Sequence, residues 1–488
     1  MADSSALGGR LLLIGLVGLA AVLANRIIRR IPLPAPALLL AGTAIAVQLV
    51  PALHRPAAAN VDQLVSAALV LILFDGGRQL GWPSFRRSAR PIMLTGVLGT
   101  FLTAAGVMLL AHLFGLPWYS ALLVAAAVAP TDPAVVFSVL GEREIAGESG
   151  TILKGESGVN DPVGIALMVS LLSAGRLSGS ALGHAAGEFL LQLTVGALVG
   201  GLGGWLLLSL TKRLRLPAAP LYPVLTLASS FVLFGAASLA HGSGFLAVFV
   251  AGILLGEAEL PYQREVEHVH AAAASLGEIV AFVALGMTVS LGQLSHPDVW
   301  LPGLALAVLL TVLVRPALVA GCLIGSRLAV NERALVLLAG LKGAVPILLG
   351  TFLLDAKVSD TQRLYGIVVL VVAFSVTVQA TALPGLAGLL RVPMRMVPPE
   401  PWAFGVRLRT QPAGAHRLRV AAGSAADGCT VAGLAELPAG AWIGFLVRDG
   451  ALLPVSADTV LHAGDEALVH ADSAQAETLH ALFGKPGG

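Results

Sequence analysis

Apolar stretches of bilayer-spanning length recur from residue 10 to residue 390, separated by short polar connections. A helix needs roughly 20 predominantly apolar residues to cross the hydrocarbon core. On that measure the pattern predicts thirteen spans, at about 10–29, 36–50, 61–82, 91–114, 118–140, 151–174, 186–210, 221–240, 244–258, 272–293, 299–325, 333–354 and 362–388. The second and ninth are short. The first follows a brief polar start, MADSSALGGR, and ends in a basic run without a small-residue cleavage pattern, so it reads as a retained helix rather than a signal peptide. Beyond residue 390 the periodicity changes. Residues 391–402, containing MRMVPPEPW, read as a linker, and 403–488 read as a small α+β domain. Its predicted strands are FGVRLR and HRLRVAA, its short helix TVAGLAEL, and its hairpin IGFLVRDGALLPV, turning at Asp449-Gly450. TVLHAGDEALVHA supplies a second strand pair turning near Gly464-Asp465, and SAQAETLHALF a closing helix.

Composition agrees. Of 488 residues 56% are hydrophobic and 12% charged, with mean hydropathy +0.86; a soluble domain carries about 25% charged residues, so this chain cannot cover a soluble surface. Abundant glycine suits close helix packing in lipid. Cys322 and Cys429 fall in different regions, do not pair, and make no metal site. The basic residues test the span count, because cytoplasmic loops are enriched in Lys and Arg. Connections after odd-numbered spans hold Arg26, Arg29, Arg30, Arg78, Arg86, Arg87, Arg90, Arg143, Lys212, Arg213, Arg215, Arg264, Arg327, Arg333, Arg391 and Arg395; the other side holds Arg10, Arg55, Arg176, Lys357 and Arg363. The asymmetry predicts an outside N-terminus and a cytoplasmic C-terminal domain.

Charges within spans are costly and by default line a cavity or pair with one another. Ala129-Pro130-Thr131-Asp132-Pro133 lies inside the fifth span. Two prolines flanking Thr-Asp predict an unwound stretch, tolerated at membrane depth only within protein or beside water; the plainer alternative is a kink with Asp132 capping the next helix. The sixth span carries Gly155-Glu156-Ser157-Gly158-Val159-Asn160-Asp161. Glu156 and Asp161 lie about 140° apart around the helix, so they need not share a site. A carboxylate, an amide oxygen and hydroxyls make a hard oxygen set, suited to an alkali cation and not a transition metal. The twelfth span, AGLKGAVPILLG, repeats the features of the fifth: Lys342 beside Gly343 and Pro346. Paired breaks in corresponding halves mark transporter sites. Lys342 would suit half-helix carbonyl ends or offset Asp132. Arg315, late in the eleventh span, either serves the site or snorkels to the interface. Asp75 and Glu278, read near the cytoplasmic end of the third span and the start of the tenth, are structural or gating charges. His54, His112, His184, His241 and His296 fall at external ends and read as interfacial.

APTDP followed by GESGVNDPVGI resembles the paired motifs of the NhaP-type branch of the monovalent cation/proton antiporters, and FDGG and GLKGAVP resemble two more. The resemblance covers about residues 10–390. It implies two inverted repeats, crossed broken helices, and a homodimer in the bacterial inner membrane. By resemblance, Asp161 is the acid that exchanges proton and cation, Asn160 its partner, and the Asn-Asp form implies electroneutral exchange. Thr131, Asp132 and Ser157 would line the site, with Asp132 a ligand or a support, and Glu156 would pair with Arg315. Many relatives have arginine where this chain has Lys342. The tail resembles the TrkA-C subdomain of regulators of potassium conductance, on its strand pattern and HAGDEALVHA. It would bind a small regulatory ligand or aid dimerisation, and its presence favours potassium.

The expectation is therefore an all-α polytopic membrane domain with a small cytoplasmic α+β domain, exchanging potassium for protons without a cofactor and without nucleic acid. Sodium/proton exchange on the same scaffold is the alternative. A regulated cation channel would need a carbonyl-rich pore loop, which the sequence lacks. A serine enzyme at the GES runs lacks a spaced histidine.

Overall fold

A computed structural model describes residues 34–49, 58–140, 143–145, 147–214, 216–256, 260–356, 358–396, 414–434, 440–448, 451–472 and 475–484, with a few isolated positions besides. The chain divides into two units, Met1–Pro398 and Pro399–Gly488.

The first unit is helical. Its helices are α1 (Ala35–Leu49), α2 (Ala59–Leu80), α3 (Ala89–Leu113), α4 (Trp118–Val128), α5 (Pro133–Leu140), α6 (Glu148–Ala174) and α7 (Gly179–Arg213). There follow α8 (Leu221–Leu239), α9 (Gly244–Leu255), α10 (Gln263–Thr288), α11 (Pro297–Leu323), α12 (Val330–Leu338), α13 (Ala344–Asp355) and α14 (Thr361–Leu389). Among the described residues eight of these are long and apolar enough to cross a membrane, or nine if α4 and α5, bent by 45° at their break, count as one span. The expected thirteen is higher for identifiable reasons. The second and ninth stretches form helices of only 15 and 12 residues, α1 and α9. The twelfth is split into α12 and α13. The first falls almost wholly outside the described residues, as do Arg10, Arg26, Arg29, Arg30, Arg55 and His54. The tenth starts at Gln263 instead of 272, because its polar first turns, QREVEHVH, are helical too. Glu278 is consequently in mid-helix and not near its start.

Burial orders these helices. The most hydrophobic window of α6 is 72% buried and that of α7 22% buried, so α6 runs through the core while α7 faces lipid. The exposed side chains of α7 include Leu190, Leu198, Leu202, Trp205 and Leu206, as a helix solvated by acyl chains requires. Two short strands, β1 (Arg143–Ile145) and β2 (Met394–Met396), pair antiparallel and tie the α5–α6 connection to the chain that follows α14. β2 falls in what the sequence presents as linker.

The second unit is a four-stranded antiparallel sheet with strand order β3-β6-β4-β5 and a closing helix, α15 (Ala476–Phe483). The strands are β3 (Ala415–Arg419), β4 (Trp442–Arg448), β5 (Ala451–Leu453) and β6 (Glu466–His470). Leu418, Leu446, Leu461, Val469, Leu479 and Phe483 form its core. β4 and β5 pair with Arg448 opposite Ala451; the turn residues Asp449 and Gly450, and the predicted strand FGVRLR, lie outside the described residues. Two expectations are corrected. The described residues of TVAGLAEL, which leave out Ala435 and Glu436, contain a single 3₁₀ turn, Val431–Gly433. The second strand pair is not a hairpin: β6 is a strand, but Val460 makes only an isolated bridge with Thr430. Asp465 organises that turn, accepting from the His462 N–H at 2.8 Å and from Arg448 Nε and Nη2, both at 2.8 Å. Hydrogen bonding from Arg448 holds the Asp465 carboxyl below its ordinary range.

Candidate functional site

The two breaks face each other. Between α4 and α5, residues 129–132 leave the helix; between α12 and α13, residues 339–343 do the same. Proline at 130 and 133 denies the fifth span its backbone donors. The freed groups bond across the gap. The Asp132 N–H donates to Leu341 O at 2.8 Å. Lys342 Nζ donates to Ala129 O at 2.9 Å and Pro130 O at 3.0 Å, placing a cation at the carbonyl end of α4. The Asp132 carboxylate accepts from the Ala134 N–H at 2.8 Å and also meets the N–H groups of Val135 and Ala344. It therefore caps the N-termini of both α5 and α13. The glycines of GLKG make room for this. A Cβ at Gly343 would collide with the Asp132 carboxylate, and one at Gly340 with the Arg315 side chain.

α6 packs its polar face on the first break. Ser157 Oγ donates to Thr131 O at 2.5 Å. Asn160 Nδ2 donates to Thr131 Oγ1 at 2.7 Å, and Asn160 Oδ1 accepts from the Thr131 N–H at 3.3 Å. Asn160 and Ser157 are thus clamps holding Thr131 against α6. Arg315, 3% exposed, does not snorkel. Its Nη2 lies 2.6 Å from Glu156 Oε1, and its Nε donates to Leu337 O at 2.8 Å, so the pair fastens α6 and α11 to the end of α12.

Asp161 differs from all of these. It is 7% exposed, and its Oδ1 is buried without a hydrogen-bond partner among the described residues. Glu156 Oε2 is also unpartnered, but Arg315 neutralises that carboxylate. Asp132 and Lys342 lie within electrostatic reach of Asp161, and both are already occupied by backbone groups. The arrangement leaves one enclosed carboxylate oxygen without a hydrogen-bond partner among the described residues, with Lys342 as a nearby cation whose own hydrogen bonds go to the end of α4.

Other predicted charges lie elsewhere. Asp75 accepts from Arg78 Nη2 and Gln79 Nε2, each at 2.7 Å, away from the crossing. His112 hydrogen-bonds Leu116 O at 2.9 Å and stacks on Trp118; His184, His241 and His296 are exposed. The sequence reading missed Ser375 and Gln379 on α14. The Lys342 N–H donates to Ser375 Oγ at 2.8 Å, Ser375 Oγ donates to Gln379 Oε1 at 2.9 Å, and Gln379 Nε2 donates to Leu338 O at 2.8 Å. Their signal was a run of polar residues at alternate positions, Ser375, Thr377, Gln379 and Thr381, interrupting an apolar stretch.

The double cap makes a testable distinction. Asp132→Asn keeps an oxygen acceptor for the helix ends, so the variant should fold and retain measurable activity. Asp132→Ala leaves two helix starts unsatisfied and should lose roughly 1–2 kcal/mol for each cap. Melting temperatures of the two purified variants in detergent check this.

Comparison with known proteins places the chain among membrane transporters. The family described as "Sodium/hydrogen exchanger, transmembrane" matches residues 15–387. The K(+)/H(+) antiporter NhaP2 of Shewanella oneidensis is 33% identical over 430 residues, covering 85% of this chain and 73% of that protein. The low-affinity Na(+)/H(+) antiporter NhaS1 of Synechocystis is 28% identical over 326 residues, 63% of this chain and 61% of its own. Among solved structures, the sodium proton antiporter MjNhaP1 from Methanocaldococcus jannaschii has the same fold: TM-score 0.65 at 21% identity, over 80% of this chain and 99% of that one.

Proposed function

Because the chain belongs to the sodium/hydrogen exchanger family, membrane transporters and not enzymes, we propose that it exchanges a monovalent cation for a proton by alternating access at Asp161. The observation that carries this reading is the free, enclosed Oδ1 of Asp161 beside two crossed helix breaks. Deprotonated Asp161 holds a dehydrated cation; protonation removes the charge and releases it. The empty, ionised site is costly at membrane depth, which enforces coupling. One titrating acid per cation makes the exchange electroneutral. Thr131, Asn160 and Ser157 shape the seat, while Asp132 and Lys342 hold the half-helices that cross beside it.

Potassium is the favoured cation, supported by the NhaP2 relative and by the tail's TrkA-C-like pattern; sodium is the alternative, supported by the NhaS1 relative. The remaining features of the reading are thirteen spans in two inverted repeats, an outside N-terminus, and a homodimer in the bacterial inner membrane. The cytoplasmic domain, 403–488, either regulates transport by binding a small ligand or aids dimerisation. Fluorescence dequenching in everted vesicles with potassium, sodium or lithium added separately tests the function. Potassium should release the proton gradient at the lowest concentration; a gradient untouched by all three ions sinks the reading.

A further inference from the structure

Glu278 lies midway along α10, a helix of 26 residues, and forms no hydrogen bond or ion pair among the described residues. The positions three, four and seven residues on, Ala281, Phe282 and Leu285, are fully buried, and Gly277 packs on the backbone of Ala68. Three and seven residues back, Ser275 and Ala271 are exposed, so Glu278 sits where its face of α10 passes from exposed to buried, and it keeps partial exposure itself. An unpaired carboxylate at that depth must border a hydrated gap.

That face begins in a cavity. A space of about 310 Å³ is lined by Arg78, Gln79, Lys154, Gln263, Val266 and Glu267. Glu267 precedes Glu278 by eleven residues, which returns to within about 20° of the same face some ~16 Å along the helix. On α6, Lys154 precedes Asp161 by seven residues, again within about 20°, ~10 Å below it. The cavity thus touches the starts of two stripes, one leading to Glu278 and the other to Asp161. Its own charges are matched: Arg78 lies 2.7 Å from Asp75 and 3.5 Å from Glu267, and Lys154 Nζ sits 4.8 Å from the centre of the Phe137 ring. At the inner end Glu278 lies within electrostatic reach of Asp132, whose carboxylate is occupied by helix ends. The buried, unpartnered oxygen of Asp161 is the destination.

We propose that Glu278 is a second cation-binding carboxylate, holding the monovalent cation in transit between this cavity and Asp161. The proposal rests on the antiport reading above. An alkali cation prefers hard oxygen ligands, and Glu278 supplies an uncompensated one where hydration is being shed.

The test is the cation dependence of initial proton-release rates in everted vesicles, with potassium as the probe, for the wild type, Glu278→Gln and Glu278→Asp. Glu278→Gln should raise the apparent KM about tenfold, with the maximal rate falling by less. Glu278→Asp, which keeps the charge but withdraws it by one methylene, should raise KM about threefold. A purely structural role would reduce the amount of protein or its maximal rate and leave KM alone, because KM does not depend on the amount of transporter. An unchanged KM in Glu278→Gln overturns the proposal while leaving the antiport reading standing. Wild-type vesicles without cation-driven proton movement would overturn both. If the glutamine variant does not reach the membrane, an unchanged KM in Glu278→Asp is decisive against the proposal.

Discussion

Asp161→Asn abolishes cation-driven proton movement in everted vesicles, lowering the rate by at least about 100-fold, and it does so without unfolding the protein. The second half of that expectation follows from geometry. The Asp161 Oδ1 holds nothing in place among the described residues, and neutralising a buried carboxylate relieves a desolvation cost. The purified variant should therefore melt at the same temperature as the wild type or higher. Asparagine can neither release a proton nor attract a cation with net charge, so movement fails in both directions. Antiport at the wild-type rate, measured by dequenching and by isotope uptake, would remove Asp161 from its role. An inactive variant that also melts early would place it among the structural charges.

Arg315→Met should produce the largest loss of stability. Arg315 and Glu156 are both almost fully buried and lie 2.6 Å apart. Removing one partner of a buried pair strands the other charge, at a cost of about 3–5 kcal/mol. The loss is enlarged because Arg315 also ties α11 to Leu337 O at the end of α12, and a Cβ-free Gly340 gives the guanidinium its place. The double variant Arg315→Met/Glu156→Gln removes both charges and should recover much of the loss. Detergent melting curves and the amount of protein in the membrane read this out. Equal stability of the single and double variants would contradict the pairing account. In that case the arginine's bond to Leu337 would carry the whole effect.

The candidate site residues are legible because their signals are local. Proline at 130 and 133 unwinds its own turn wherever the fold places it, and Asp161 is conspicuous as an acid in an apolar run. Their division of labour was less legible. Asn160 reads as a ligand beside Asp161, but both ends of its amide are taken by Thr131. Asp132 reads as ligand or support, and only the second break, more than 200 residues away, supplies the Ala344 N–H that makes it a double cap. The thirteen predicted spans and the eight or nine long apolar helices differ through helix length. A 12-residue helix such as α9 and the split α12–α13 look alike in hydropathy. The start of α10 was misplaced because QREVEHVH is polar without being a loop, and that error hid the depth of Glu278. The β1–β2 pairing joins segments far apart in the chain through backbone bonds, which side-chain periodicity does not encode. Ser375 and Gln379 needed the fold to reveal that they hold the second break.

A carboxylate that alternately holds a cation and a proton gives up one for each of the other that it takes. The most direct measurement is the number of protons released per potassium ion bound by the purified protein in detergent, in weakly buffered solution. Close to one proton per ion is expected for the wild type and none for Asp161→Asn. Potassium binding without proton release, or release that persists undiminished in Asp161→Asn, would contradict exchange at Asp161.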